Sequence, residues 1–157
     1  MKKCMLILLC SIFSLHAAQA QNHAIGIRLG GSGEVLYQQW LSESNYLQFT
    51  LATPNWNGFT VTGTYNWRCH EWDWTPNVCS WHLDAGVGGL AGVYDMKNTG
   101  FLLGVIGSCA FGCQFNKVPI SVDLDYRPAI GMVAGGGSSG LFTPGFWNFG
   151  ISAAYHF

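Results

Sequence analysis

Charge is scarce in this sequence. Lysine, arginine, aspartate and glutamate together make up 10% of it, against about 25% in ordinary soluble domains. The charges present nearly cancel, to a formal net charge of -1 at pH 7. That excludes a general attraction to nucleic acid or to anionic surfaces, and no nucleic-acid partner is expected. Long apolar runs are lacking too. Beyond the first residues no stretch reaches the ~20 consecutive apolar residues of a membrane-spanning helix. Gly86 to Gly112 comes closest, and Tyr94-Asp-Met-Lys-Asn-Thr-Gly100 interrupts it. A soluble domain covers itself with polar groups, and this chain has few to use.

Hydrophobic residues reach 49%, aromatics 15%, and there are 21 glycines in 157 residues, enough for one domain. Low charge without a membrane helix leaves the closed β-barrel, the other structure that satisfies its backbone in lipid. The first residues read as an export signal. Lys2 and Lys3 precede an apolar segment from Cys4 to Leu15, and Ala18-Gln-Ala20 is a small-x-small cleavage site. The expected organisation is a signal peptide over residues 1–20 and one barrel domain over 21–157. An alternative lipidation at Cys10 fits less well, because Leu9 stands where a small residue is expected.

The remaining chain alternates with the two-residue period of strands. The closing stretch sets Trp147, Phe149, Ile151, Ala153, Tyr155 and Phe157 against Asn148, Gly150, Ser152, Ala154 and His156. Strand one, His23 to Gly31, sets Ile25, Ile27 and Leu29 against Gly26, Arg28 and Gly30. Strand two, Glu34 to Leu41, is ambiguous: Val35 and Tyr37 conflict with Leu36 and Trp40, which a bulge would reconcile. Strands three (Tyr46 to Thr53) and four (from Phe59) alternate cleanly. Arg68 to Ser80, holding Pro76 and two cysteines, reads as irregular. Strand five starts at Trp81, with His82, Asp84, Gly86 and Gly88 inward. Strand six is Phe101 to about Phe115, its facing unclear, and strand seven Pro119 to about Val133. A glycine-rich loop through Gly145 precedes strand eight. The expected fold is all-β, an eight-stranded antiparallel transmembrane β-barrel with up-and-down meander topology, the smallest even-stranded barrel of its kind.

Alternation alone does not say which face is inside. Aromatics near strand ends (Trp40, Tyr46, Trp67, Trp81, Tyr126, Trp147, Tyr155) suggest interfacial girdles. The charged strand residues all fall on the polar face. A basic residue facing lipid at the midplane costs ~2–4 kcal/mol, so that face is placed inside. Three segments resemble small bacterial outer-membrane β-barrel proteins: Ala24-Ile-Gly-Ile-Arg-Leu-Gly30, Val118-Pro-Ile-Ser-Val-Asp-Leu-Asp-Tyr-Arg-Pro128 and Tyr155-His-Phe157. The resemblance implies outer-membrane location, a periplasmic N-terminus and short periplasmic turns. It also implies recognition of the terminal aromatics, Tyr155 and Phe157, by the barrel-assembly machinery. The Arg68–Ser80 segment departs from that pattern.

Inside, Arg28, Glu34, Asp84, Asp123, Asp125 and Arg127 are expected to form a charge network, joined by His82 and His156. An eight-stranded interior is just wide enough to be filled by side chains, so a plug is the first reading and a cation or proton path the second. The four cysteines beyond the leader leave three connectivities open, with Cys69–Cys79 favoured. Cys109 and Cys113 would be ~13 Å apart in a regular strand, beyond disulfide reach. A zinc set from Cys69, His70, Cys79 and His82 has loose spacing, and neither metal nor other cofactor is expected. No serine is evident beside a histidine, so no catalytic residue is assigned and no enzyme expected. Glycines at Gly86–Gly92 read as room for a neighbour's side chain in a thin barrel. The expected role is structural or interactive, as a monomer in outer-membrane lipid. The alternatives are a narrow pore and an outer-leaflet lipid-modifying enzyme.

Overall fold

The computed structural model describes residues 22–53, 58–95, 100–135, 138–142 and 146–157. The expected signal peptide lies outside the described residues. The strand segments are β1 His23–Leu29, β2 Gly33–Trp40, β3 Asn45–Ala52, β4 Phe59–Thr75, β5 Cys79–Asp95, β6 Gly100–Phe115, β7 Ile120–Tyr126, β8 Ala129–Gly135, β9 Ser138–Phe142 and β10 Phe149–His156. Strands β1 to β7 pair antiparallel in sequence order, β8 pairs with β9, and β1 pairs with β10, so the sheet closes. β6 pairs with both β7 and β8. These two are one stave, interrupted at Arg127 and Pro128, where proline has no amide to give to the ladder. β9 pairs with β8 and β10 with β7, together making the last stave. The result is a closed eight-stranded antiparallel barrel.

The register fixes its shear. Following partners once around from Trp81 leads through Cys113, Val122, Ala153, Ile27, Val35, Leu51 and Val61 to Ala91, ten positions further along β5. A shear exceeding the strand number goes with strongly tilted staves, roughly 40° from the axis. Every residue on that circuit is apolar and points outward. Ile27, Leu29, Leu103, Leu124, Met132 and Trp147 are more than half exposed. Arg28, Gln48, Asn66, Asp84, Asp125 and Ser152 are buried inside.

Several expectations are corrected. Strand two needs no bulge: its register is unbroken, Val35 and Tyr37 point out, and Leu36 is buried beside Ala24 and Ala154. The lumen is therefore not wholly polar, and a second apolar cluster joins Leu90, Leu102, Ile106 and Ala129. Arg68–Ser80 is not irregular. β4 and β5 run through it as a long hairpin turning at 76–78. A bulge between Arg68 and His70 shifts its phase, so that His70, Trp72 and Trp74 resume the outward row. Strand six faces inward at Leu102, Gly104, Ile106 and Gly112. Part of the expected glycine-rich loop is β9, reached after Gly135 at φ 116°, a conformation glycine adopts without strain. Two expected girdle aromatics, Trp40 and Tyr46, turn inward and pack together at 4.6 Å.

Candidate functional site

The lumen holds two polar clusters, and glycines on intervening strands let each form. Arg28 lies opposite Glu34 on β2 and opposite Ser152 on β10. Its Nη1 donates to Glu34 Oε1 at 2.8 Å. To reach Asp125 on β7 it must cross β10, and there Gly150 pairs with Asp125. A Cβ at Gly150 would sit 2.6 Å from Arg28 Cζ. The missing side chain lets the guanidinium pass, and Nε donates to Asp125 Oδ1 at 2.7 Å. Arg127 closes the ring, 3.4 Å from both Glu34 Oε2 and Asp125 Oδ2. Arg28 and Asp125 have no exposed side-chain surface, so each charge depends on its partners.

The second cluster repeats the device. His82 and Asp123 flank Gly112 on neighbouring strands, and His82 Nε2 meets Asp123 Oδ1 over it at 2.8 Å. A Cβ on Gly112 would collide with Asp123 Oδ1. Asp84 accepts from Tyr46 Oη at 3.0 Å and from Arg68 Nε at 3.1 Å. Arg68 is held over the Trp40 ring, 4.6 Å from its centroid. Its backbone amide donates to Ser44 O at 2.7 Å, which places this cluster by the 41–44 turn. Beside it a cavity of about 440 Å³ opens at the rim, lined in part by Arg68, Glu71, Ser80, Gln114 and Lys117.

All six sequence-expected lumen residues lie inside, divided between the clusters: Arg28, Glu34, Asp125 and Arg127 in one, Asp84 and Asp123 in the other. Arg68 and Tyr46 escaped the sequence reading. Arg68 falls in the segment that reads as irregular, and Tyr46 resembles an interfacial aromatic. Its step of two from Gln48 and Thr50 was the available signal, since those polar residues share its face. His156 Nε2 lies 3.0 Å from Ser121 Oγ, correcting the expectation of no serine beside a histidine. Both are buried, and the contact is a hydrogen bond between β10 and β7.

The cysteines differ from expectation. All four described ones are free, and Cys69–Cys79 is not a bridge. Cys69 occupies the bulge facing the 83–84 region of β5, and Cys79 begins that strand. About four residues of strand separate them, roughly 13 Å, beyond what a disulfide spans. The zinc alternative does not converge either: His82 points into the lumen, whereas Cys69 and His70 are exposed. Among the described residues no group of three or more metal-binding side chains converges. Compared with models of known families, with characterised proteins and with solved structures, the chain matches none.

The glycine passages are testable. Gly150→Val is expected to push Arg28 off Asp125 and lower stability by about 1–3 kcal/mol, the usual range for overpacking. Urea unfolding measures this. A loss no larger than that of an outward control, Gly63→Val, would show that the passage is not needed.

Proposed function

We propose that this protein is an integral barrel of a Gram-negative outer membrane, akin to the small bacterial outer-membrane β-barrels, with a side-chain-filled lumen and a structural or interaction role. One observation carries the reading: the usual arrangement of a soluble protein is inverted. Large apolar side chains lie exposed around the barrel, while arginines and carboxylates pair within it. Monomers in water normally expose contiguous apolar patches of no more than a few hundred Å², whereas here exposed apolar side chains come from every stave of the barrel. In lipid such a surface is the required solvent-facing one. Trp72, Trp74, Trp81 and Phe111 cluster outside at one rim, ring centroids 5.2–6.2 Å apart, which suits a bilayer interface.

On this reading residues 1–20 direct export, the partner is outer-membrane lipid, and the barrel works as a monomer. Tyr155 and Phe157 on the closing strand are what the assembly machinery engages. The paired guanidinium groups favour a plug over a pore, since moving an ion past Arg28 would mean breaking its contacts with Glu34 and Asp125. The test is reconstitution. Protein refolded into phospholipid vesicles should stay with them through alkaline carbonate washing and give no conductance steps in planar bilayers. A mature chain that stays folded and monodisperse in buffer without detergent would sink the location. Steady single-channel steps would replace the plug with the pore.

A further inference from the structure

We infer that the free edge of β4 beyond Trp67 is a docking site for an extended basic segment of another protein, taken up as an added strand. β3 pairs with β4 only as far as Asn45 opposite Trp67. One further bond follows, from Arg68 N to Ser44 O at 2.7 Å, and there the 41–44 turn leads back to β2. β4 continues to Thr75, paired on its other side with β5. Among the described residues nothing pairs with the 69–75 edge, which runs roughly 20 Å past its neighbour. Unpaired backbone donors and acceptors of this kind are a template for another strand. All of these residues except Trp72 are exposed. None is the lysine or proline that usually blunts an edge. Bulges between Arg68 and His70 and between Trp72 and Thr75 confine regular pairing to His70–Trp72. So short an edge limits unselective sheet growth and leaves the side chains to choose the partner.

Those side chains specify the occupant. One row holds His70, Trp72 and Trp74, and the other Glu71 and Asp73. Glu43, exposed on the adjoining turn, adds a third carboxylate. The cation beside them is Arg68, 3.1 Å from Glu71 and also 3.1 Å from the buried Asp84, so negative charge is in surplus. A segment alternating lysine or arginine with apolar residues sets its basic row beside Glu71 and Asp73 and its apolar row beside the tryptophans. Opposite charges across a strand pair are favourable and like charges unfavourable. A second copy of this chain does not fit for that reason. Antiparallel pairing of two β4 edges sets acidic row against acidic row, and it inverts one barrel relative to the other. Hydrogen bonds from Trp40 N to Asn22 O and from Arg68 N to Ser44 O put the edge at the rim where β1 begins. On the location proposed above that rim is periplasmic, and the partner is a periplasmic protein; the compartment alone rests on that reading.

The probe is a short peptide alternating lysine with valine, added to the protein in micelles of an uncharged detergent. Hydrogen exchange across residues 70–72 reads the docking. The peptide should slow exchange there. Its apparent affinity should fall about fivefold in Glu71→Gln/Asp73→Asn, the joint effect of two cross-strand charge pairs. Both substitutions are at exposed positions, so the barrel itself is left intact. A glutamate–valine peptide should give no protection. Neither should the lysine–valine peptide methylated at every backbone nitrogen, which keeps its charge but cannot donate to a ladder. Equal binding by the methylated peptide would reduce the site to charge attraction and overturn the added strand. Unchanged exchange at 70–72, or protection that grows with protein concentration in the absence of peptide, would overturn it as well. No bilayer enters this measurement, so the two readings fail separately. Edge protection in protein that never enters vesicles supports the docking site and overturns the location. Vesicle-inserted protein whose edge stays unprotected does the reverse.

Discussion

Arg28→Ala is expected to destabilise the barrel by about 3–5 kcal/mol, the cost of breaking a buried ion pair by removing one partner. Arg28 has no exposed side-chain surface and makes the shortest contacts to Glu34 and Asp125. Without it, those carboxylates share Arg127 alone, at 3.4 Å from each. Two carboxylates would then face one another in a narrow lumen with one counter-charge. Arg28→Lys should recover only part of the loss, because an ammonium cannot reproduce the forked contacts to both acids. The double variant Arg28→Ala/Asp125→Ala should be less destabilised than the sum of the singles, since no charge is stranded on β7. Urea unfolding in detergent, followed by tryptophan fluorescence, gives all three values. A single-variant loss below about 1 kcal/mol, the size typical of exposed pairs, would show that the network is not a structural plug.

The second large effect lies on the opposite face, one residue away. Ile27→Arg is expected to cost about 2–4 kcal/mol in lipid, the penalty for an arginine facing the midplane. Ile27 is 55% exposed and belongs to the apolar circuit traced by the register. Tyr155→Arg, near the rim where the chain ends, should cost only about 0–1 kcal/mol, because the penalty falls toward the interface. Folding titrations in phospholipid vesicles measure the difference. The contrast tests the environment and not merely the fold: on a water-facing surface neither arginine is penalised, and equal effects would remove the bilayer from the account.

Much of the architecture was readable because strand facing is a local property. Each strand that alternates cleanly points the way its polar residues indicate: Arg28, Gln48, Thr64 and Asp125 inward, Ile27, Phe49, Val61 and Leu124 outward. The failures have local causes too. In β2, Leu36 is inward and apolar because the neighbouring strands present alanines, Ala24 and Ala154, around it. In β4 the alternation His70, Trp72, Trp74 against Glu71 and Asp73 was present, but a bulge at Cys69 reversed its phase and hid it. β9 is five residues long and glycine-flanked, so only its pairing with β8 defines it.

Period-two patterning and composition were enough to indicate sheet with ionisable groups on one face and apolar groups on the other. Partnership was beyond their reach. Arg28 and Asp125 are 97 positions apart and meet across a third strand, at its one residue without a side chain. Cys79 lies diagonally across one ladder from Cys113, and not beside the nearer Cys69, because lateral neighbours follow from register and shear. Side-chain direction is set by each residue's own backbone, whereas lateral contacts arise only when all the staves close into a cylinder at one common tilt.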